Sequence, residues 1–147
     1  MPGSNNTEPS LYQRLGGYDV IAKVIDGVLT GMRQDPMFAR FAARSADSRQ
    51  RARQLLVDQI CALAGGPCIY IGRDMKTSHT GLGITEEEWA ASLRHTRAAL
   101  DEQHLGEREC LEFLELFERY RADIVERPAD PVNALERGDA TGTPATP

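Results

Sequence analysis

The sequence predicts an all-α domain. Three observations carry that reading. Apolar residues recur at helical spacing in several separate stretches. Two capping boxes, Ser10 to Gln13 and Thr85 to Glu88, mark helix starts. The one β-branched run, Ile69-Tyr70-Ile71, is short and has no partner strand. About five or six helices with short connections are expected.

The chain has 147 residues, the size of one domain. Apolar residues make up 41%, enough for a core and too many for wholesale disorder. A formal net charge of −5 speaks against nucleic-acid binding, which needs a basic face. No apolar stretch is long enough to insert in a bilayer. The polar start MPGSNNTEPS lacks the apolar run of a secretory signal. Cys61, Cys68 and Cys110 form no C-x-x-C pair, so a thiolate zinc site is not expected. Their odd number is read as free thiols in a reducing cytoplasm. Cys61 is read as a small apolar residue in a helix and Cys68 as the more reactive thiol.

Residues 1–9 hold no core residue and read as a flexible tail. Ser10 opens a short helix with Leu11 and Leu15 on one face, which Gly16-Gly17 ends. From Asp19 to about Arg33 the positions Val20, Ile21, Val24, Ile25, Val28, Leu29 and Met32 form one stripe. Asp35-Pro36 is the cap and first residue of a further turn carrying Phe38 and Phe41. Residues 42–47 connect.

Ser48 to Ala64 is the next helix. Its expected inner face is Ala52, Leu55, Leu56, Gln59, Ile60 and Leu63, with Arg49, Arg51 and Arg53 in water. Gly65-Gly66-Pro67 stops it. Cys68 to Arg73 is an ordered loop, and Asp74 to Ser78 a single turn with His79 at its end. Thr85 to about His104 is a helix along Trp89, Leu93, Thr96 and Leu100. Its acidic start suits the helix dipole. Gly106 breaks it. A last helix runs from Glu107 to about Glu126 along Cys110, Leu111, Leu114, Phe117, Tyr120, Ile124 and Val125, closed by Pro128. Residues 128–147 are rich in Pro, Ala, Thr and Gly and read as disordered.

His79 stands out, followed at once by Gly81 and Gly83. An imidazole on a short segment between helices can serve as an axial iron ligand. A histidine there can equally be solvated or structural. The segments SLYQRLGG (10–17), LAGGP (63–67) and MKTSHTGLGI (75–84) resemble, in order and separation, the truncated haemoglobins of the first group. The resemblance spans about Ser10 to Val125, within a domain of residues 10–127. It implies a two-over-two helical sandwich around haem b, with His79 as proximal ligand. Phe41 resembles the phenylalanine that stacks on the ring, and Met75 the apolar contact before the ligand. Tyr70, Arg73 and Lys76 lie close enough in the chain to anchor propionates.

The sequence departs from the family on the distal side. The family commonly has a Tyr six residues before the Asp-Pro pair, and here that position is Leu29. The partner position, often Gln, falls on Leu56, with Ala52 one turn earlier. An apolar distal pocket is expected, since Arg53 or Gln59 would reach it only after a large helix rotation. A hydrogen bond to a charged group is worth about 1.5–3 kcal/mol. Its loss predicts O2 binding with less discrimination over CO. The resemblance thus implies a gas-binding globin for O2, CO and NO. Dioxygenation of NO would need an external reductase, because the chain has no flavin or nicotinamide motif. Two alternatives stay open: a haem or gas sensor acting through a partner, and a helical interaction module that has lost haem.

Overall fold

A computed structural model describes residues 8–42 and 45–127. Most of the expected N-terminal tail, the whole C-terminal tail and the stop at Pro128 lie outside those residues. The chain forms α1 (Leu11–Leu15), α2 (Tyr18–Gln34), a 3₁₀ helix (Pro36–Phe41), α3 (Ala46–Leu63), α4 (Met75–His79), α5 (Glu86–Glu102), α6 (Glu107–Glu118) and α7 (Arg121–Ile124).

Local chemistry explains most boundaries. Both expected capping boxes form, at Ser10 with Gln13 and at Thr85 with Glu88. Gly16 takes a left-handed φ of 107° and ends α1. Asp35 caps the 3₁₀ helix, its Oδ1 accepting from Met37 N at 2.9 Å, with Pro36 next in line.

Helix α2 packs on α3 and, most extensively, on α5, while α5 packs on α6. The α2–α3 and α5–α6 pairs are the layers of a two-over-two sandwich, joined across the α2–α5 contact. Ile21, Val24, Ile25 and Val28 of α2 meet Val57, Ile60, Cys61, Leu100, Cys110 and Phe113 in one core. The α2–α5 approach needs two small residues. A β-carbon on Gly27 would sit 3.0 Å from that of Ala99, and one on Gly31 would sit 2.7 Å from His95 Nδ1.

Three expectations need correction. First, α3 begins at Ala46, capped by Ser45, and its buried face is only partly the expected one. Gln59 and Ile60 are buried as expected, but Val57 and Cys61 are buried beside them, while Ala52, Leu55, Leu56 and Leu63 are only half-buried. Second, the last long helix is two. Leu111 is 55% exposed, and Phe113, outside the expected stripe, is fully buried. After Glu118 the chain bends so that Glu126 N and Arg127 N both donate to Ile84 O, at 2.9 and 3.0 Å. Those bonds lie beyond the reach of a straight helix. Third, Cys61 and Cys68 form a disulfide across a Cα separation of 5.7 Å. The Gly65-Gly66 turn folds the chain back, with Gly66 N donating to Cys61 O at 2.8 Å. Cys68 is therefore not the reactive thiol, and the free-thiol basis for a reducing compartment falls. Cys61 still packs in the core, and Cys110 is free and buried. No helix among the described residues is long and apolar enough to cross a membrane.

Candidate functional site

Helix α4 is a single turn started by Asp74, whose Oδ1 accepts from Thr77 N at 2.8 Å. Hydrogen bonding from the Thr77 side chain, and then from its amide, holds the Asp74 carboxyl below its ordinary range. His79 closes the turn, and its Nδ1 lies 2.9 Å from Met75 O. The Ser78 hydroxyl lies 2.9 Å from the same nitrogen; a carbonyl can only accept, so the Met75 contact is a hydrogen bond when Nδ1 carries the proton. Nε2 then keeps its lone pair. This is the tautomer a metal ligand needs, oriented by a second bond as ligating histidines usually are. Met75 contributes through its carbonyl.

The segment after His79 is held by polar bonds. Gly81 and Gly83 have φ of 90° and 63°. Their amides donate to the Glu126 carboxylate at 2.9 and 2.6 Å. These two bonds are the chief cause of a lowered Glu126 pKa. No local pattern marks Glu126, because its partners lie more than forty residues away in sequence.

His79 lines a cavity of about 950 Å³, at the upper end of the size range of small-molecule sites. Leu29, Met32, Phe38, Phe41, Leu82, Ile84, Trp89 and Ile124 supply apolar wall. The slot thus opens between the α2–α3 layer and the α4–α5 side. Arg33, Arg49, Gln50 and Arg53 also line it. Arg53 grips Asp26 in a fork, Nε to Oδ1 at 2.6 Å and a second nitrogen to Oδ2 at 3.1 Å. Thr30 accepts from Arg33 at 3.2 Å, and Ser92 donates to Trp89 O at 2.7 Å.

The structure brings His79, Phe41, Leu29 and Ala52 to one cavity. Leu56 is not among its described lining residues and packs on the core instead. Nor do Tyr70, Arg73, Met75 or Lys76 line it. The Tyr70 hydroxyl donates to Arg73 O at 2.5 Å, and Arg73 and Lys76 are exposed. Leu56 packs on the core rather than at the cavity, and Arg53 lines the cavity beside Ala52, so the wall is less uniformly apolar than expected. His95 pairs with Asp35 at 2.8 Å and sits edge-on to Phe38, outside the cavity lining. That pairing keeps the Asp35 carboxyl below its ordinary range. Among the described residues no cluster of three or more His, Cys, Asp or Glu side chains is placed to hold a bare metal ion.

Comparison with known proteins fits this architecture. A curated relative, the group 1 truncated hemoglobin GlbN of Mycolicibacterium paratuberculosis, is 30% identical over 91 residues, 62% of this chain. The match spans 65% of that relative's length, just short of two thirds. The truncated hemoglobin of Tetrahymena pyriformis, solved in its Fe(III) form, superposes with a TM-score of 0.73 at 21% identity over 81% of this chain and all of its own. The group II truncated hemoglobin of Bacillus anthracis gives 0.74 at 17% identity over 86% of this chain and 98% of its own. Residues 10–126 match the bacterial-like globin family, and the chain belongs to that family.

Proposed function

We propose that the chain binds haem b in this cavity through His79 Nε2 and is a reversible binder of diatomic gases. The observation that carries the reading is the state of His79. It faces a cavity of suitable size and greasy wall, with Nδ1 tied to a carbonyl and Nε2 left for iron. The residues fit the group: a flat apolar ring needs walls such as Phe38, Phe41, Leu82 and Ile84, and its two propionates need cations. Among the described residues Arg33, Arg49 and Arg53 are the cations that line this cavity, whereas Arg73 and Lys76 stand off it. Ferrous haem held there would supply the iron that binds O2, CO or NO.

The chain's own residues orient and exclude. Trp89, Leu82 and Ile124 exclude water from the wall. Leu29 and Ala52 present no donor to a ligand. Arg53 and Ser92 are engaged within the protein, whereas the Thr30 hydroxyl accepts from Arg33 and keeps its own proton, and the Gln50 amide also lines the cavity. With no donor at Leu29 or Ala52, polar stabilisation of a bound gas would have to come from Thr30 or Gln50, and O2 is expected to be favoured over CO less than in a pocket built around a dedicated donor. Turnover of NO in the presence of O2 and an external reductase is the enzymatic extension of this reading.

One optical titration tests it. Purified protein reconstituted with hemin, reduced and exposed to CO, is expected to show the Soret shift of a histidine-ligated haem. His79→Ala, still helical by circular dichroism, is expected to lose it. An unchanged spectrum in that variant overturns the assignment.

A further inference from the structure

The guanidinium of Arg40 makes an unusual number of connections for a surface side chain. It projects from the 3₁₀ helix that carries Phe38 and Phe41. Its Nε and one terminal nitrogen bond the Glu88 carboxylate at 2.9 and 2.7 Å. Its other terminal nitrogen donates to Leu82 O at 2.8 Å, and the first reaches Gly83 O at 3.2 Å. Its carbon centre lies 4.1 Å from the centroid of the Phe41 ring. One planar group therefore joins three elements: the helix of the aromatic wall, the segment after His79, and the first turn of α5.

The arrangement around it is complementary. Glu126 takes the amides of Gly81 and Gly83, while Arg40 takes the carbonyls of Leu82 and Gly83. The segment is gripped from both sides. Glu88 has a second duty, since its Oε1 also accepts from Thr85 N at 3.0 Å to complete the capping box. It is buried, with only 9% of its side chain exposed, and it lines the cavity beside Trp89. A carboxylate so placed needs a fixed cation, and Arg40 holds it well below its ordinary range against the cost of burial.

We propose that Arg40 is a positioning residue for the iron ligand. It locks the segment following His79 to the 3₁₀ helix bearing Phe41, so that imidazole and aromatic wall are set as one unit. The inference rests on the reading of His79 as the haem ligand. A fork is needed for it. Lysine, a point charge on a flexible stem, cannot bond a carboxylate and two carbonyls at these angles.

The test uses hemin-reconstituted full-length protein, with Arg40→Met, Arg40→Lys and Glu88→Gln beside the unsubstituted chain. Two quantities are read: the iron–histidine stretching band of the ferrous form, and the rate of hemin loss to an excess of apomyoglobin. Arg40→Met is expected to shift and broaden the band and to speed hemin loss roughly tenfold to hundredfold. Arg40→Lys is expected to fall between. Glu88→Gln keeps an acceptor for Thr85 N but loses the charge, and is expected to move both readouts the same way by less. A purely structural role would lower the melting temperature and leave band and rate unchanged in the folded variants, which overturns the proposal. If Arg40→Met does not fold, unmoved values in the other two overturn it equally. Failure of the haem reading looks different, because the unsubstituted protein itself would then lack a band that depends on His79.

Discussion

The two sides of the cavity are built by different physics. The His79 side is held by directional bonds: a side-chain cap at Asp74, a carbonyl on Nδ1, two amides on Glu126 and two carbonyls on Arg40. The opposite side, from α2 and α3, is held mainly by apolar packing, with two glycines at the α2–α5 crossing, a Gln54–Tyr18 hydrogen bond and the Arg53–Asp26 ion pair at the mouth. Polar bonds fix a single geometry, because each has a narrow range of distance and angle. Apolar packing fixes volume and tolerates small rotations. The difference suits a site that keeps a ligand in place on one face and admits a guest on the other.

The Cys61–Cys68 disulfide is where the two sides join, since Cys61 lies in the last turn of α3 and Cys68 begins the run toward α4. Its removal is the largest expected effect. Closing a loop this short is worth roughly 2–3 kcal/mol through the unfolded state. Chemical denaturation with and without reductant should show that loss, and Cys61→Ser with Cys68→Ser should reproduce it. Equal midpoints would mean that the bond constrains nothing that folding does not already constrain.

Gly31→Ala strikes the packed side alone. The new methyl would meet the His95 ring, which must then move from Asp35. Overpacking of this kind costs about 1–3 kcal/mol, and helix propensity returns only part of it. The melting temperature should fall. The signals of the His79 segment in an amide-exchange experiment should not change, if the two sides are as separate as their bonding implies. Faster exchange at Gly81 and Gly83 would show that they are coupled through α5.

What could be read from the chain follows the same division. Helices α1, α2 and α5, both capping boxes, the stop at Gly65-Gly66 and the turn ending in His79 were all legible, because each is set within a few residues. The buried face of α3 was legible only in part: Gln59 and Ile60 are buried as read, but Val57 and Cys61, outside the stripe, are buried more deeply than Leu55 and Leu56, which depends on the surfaces they meet and not on local spacing. The break after Glu118 was hidden for a similar reason, since its reward is a pair of bonds to Ile84 O. Glu88 read as a cap and is one, but its partner Arg40 lies 48 residues away and carries no local signal.

Acid should discriminate between the two sides as well. The Arg40 bond holds the Glu88 carboxyl below its ordinary value of 4.5. The folded protein therefore binds that proton more weakly than the unfolded chain does. The stability it contributes is whole above about pH 4.5 and is lost as pH falls through the lower folded-state value. Glu88→Gln should flatten part of the fall in unfolding free energy between neutral and strongly acid solution. An identical pH profile in the variant would assign the acid sensitivity to the other paired carboxylates, such as Asp35 beside His95.

The smallest effect on stability is expected at the mouth. Arg53 is about a quarter exposed and Asp26 about half, so solvent screens their pair and its worth is at most ~1 kcal/mol. Arg53→Leu should scarcely move the denaturation midpoint. It would, however, remove the Arg53–Asp26 fork that joins α3 to α2 at the cavity, and leave the packed side freer to adjust. In hemin-reconstituted protein the rate of CO recombination after flash photolysis should rise, while the iron–histidine band, governed from the opposite side, should stay where it is. A recombination rate unchanged by Arg53→Leu would mean that the ion pair does not stand in the path of the gas. A shifted band would mean that a contact at the mouth reaches across the cavity to His79.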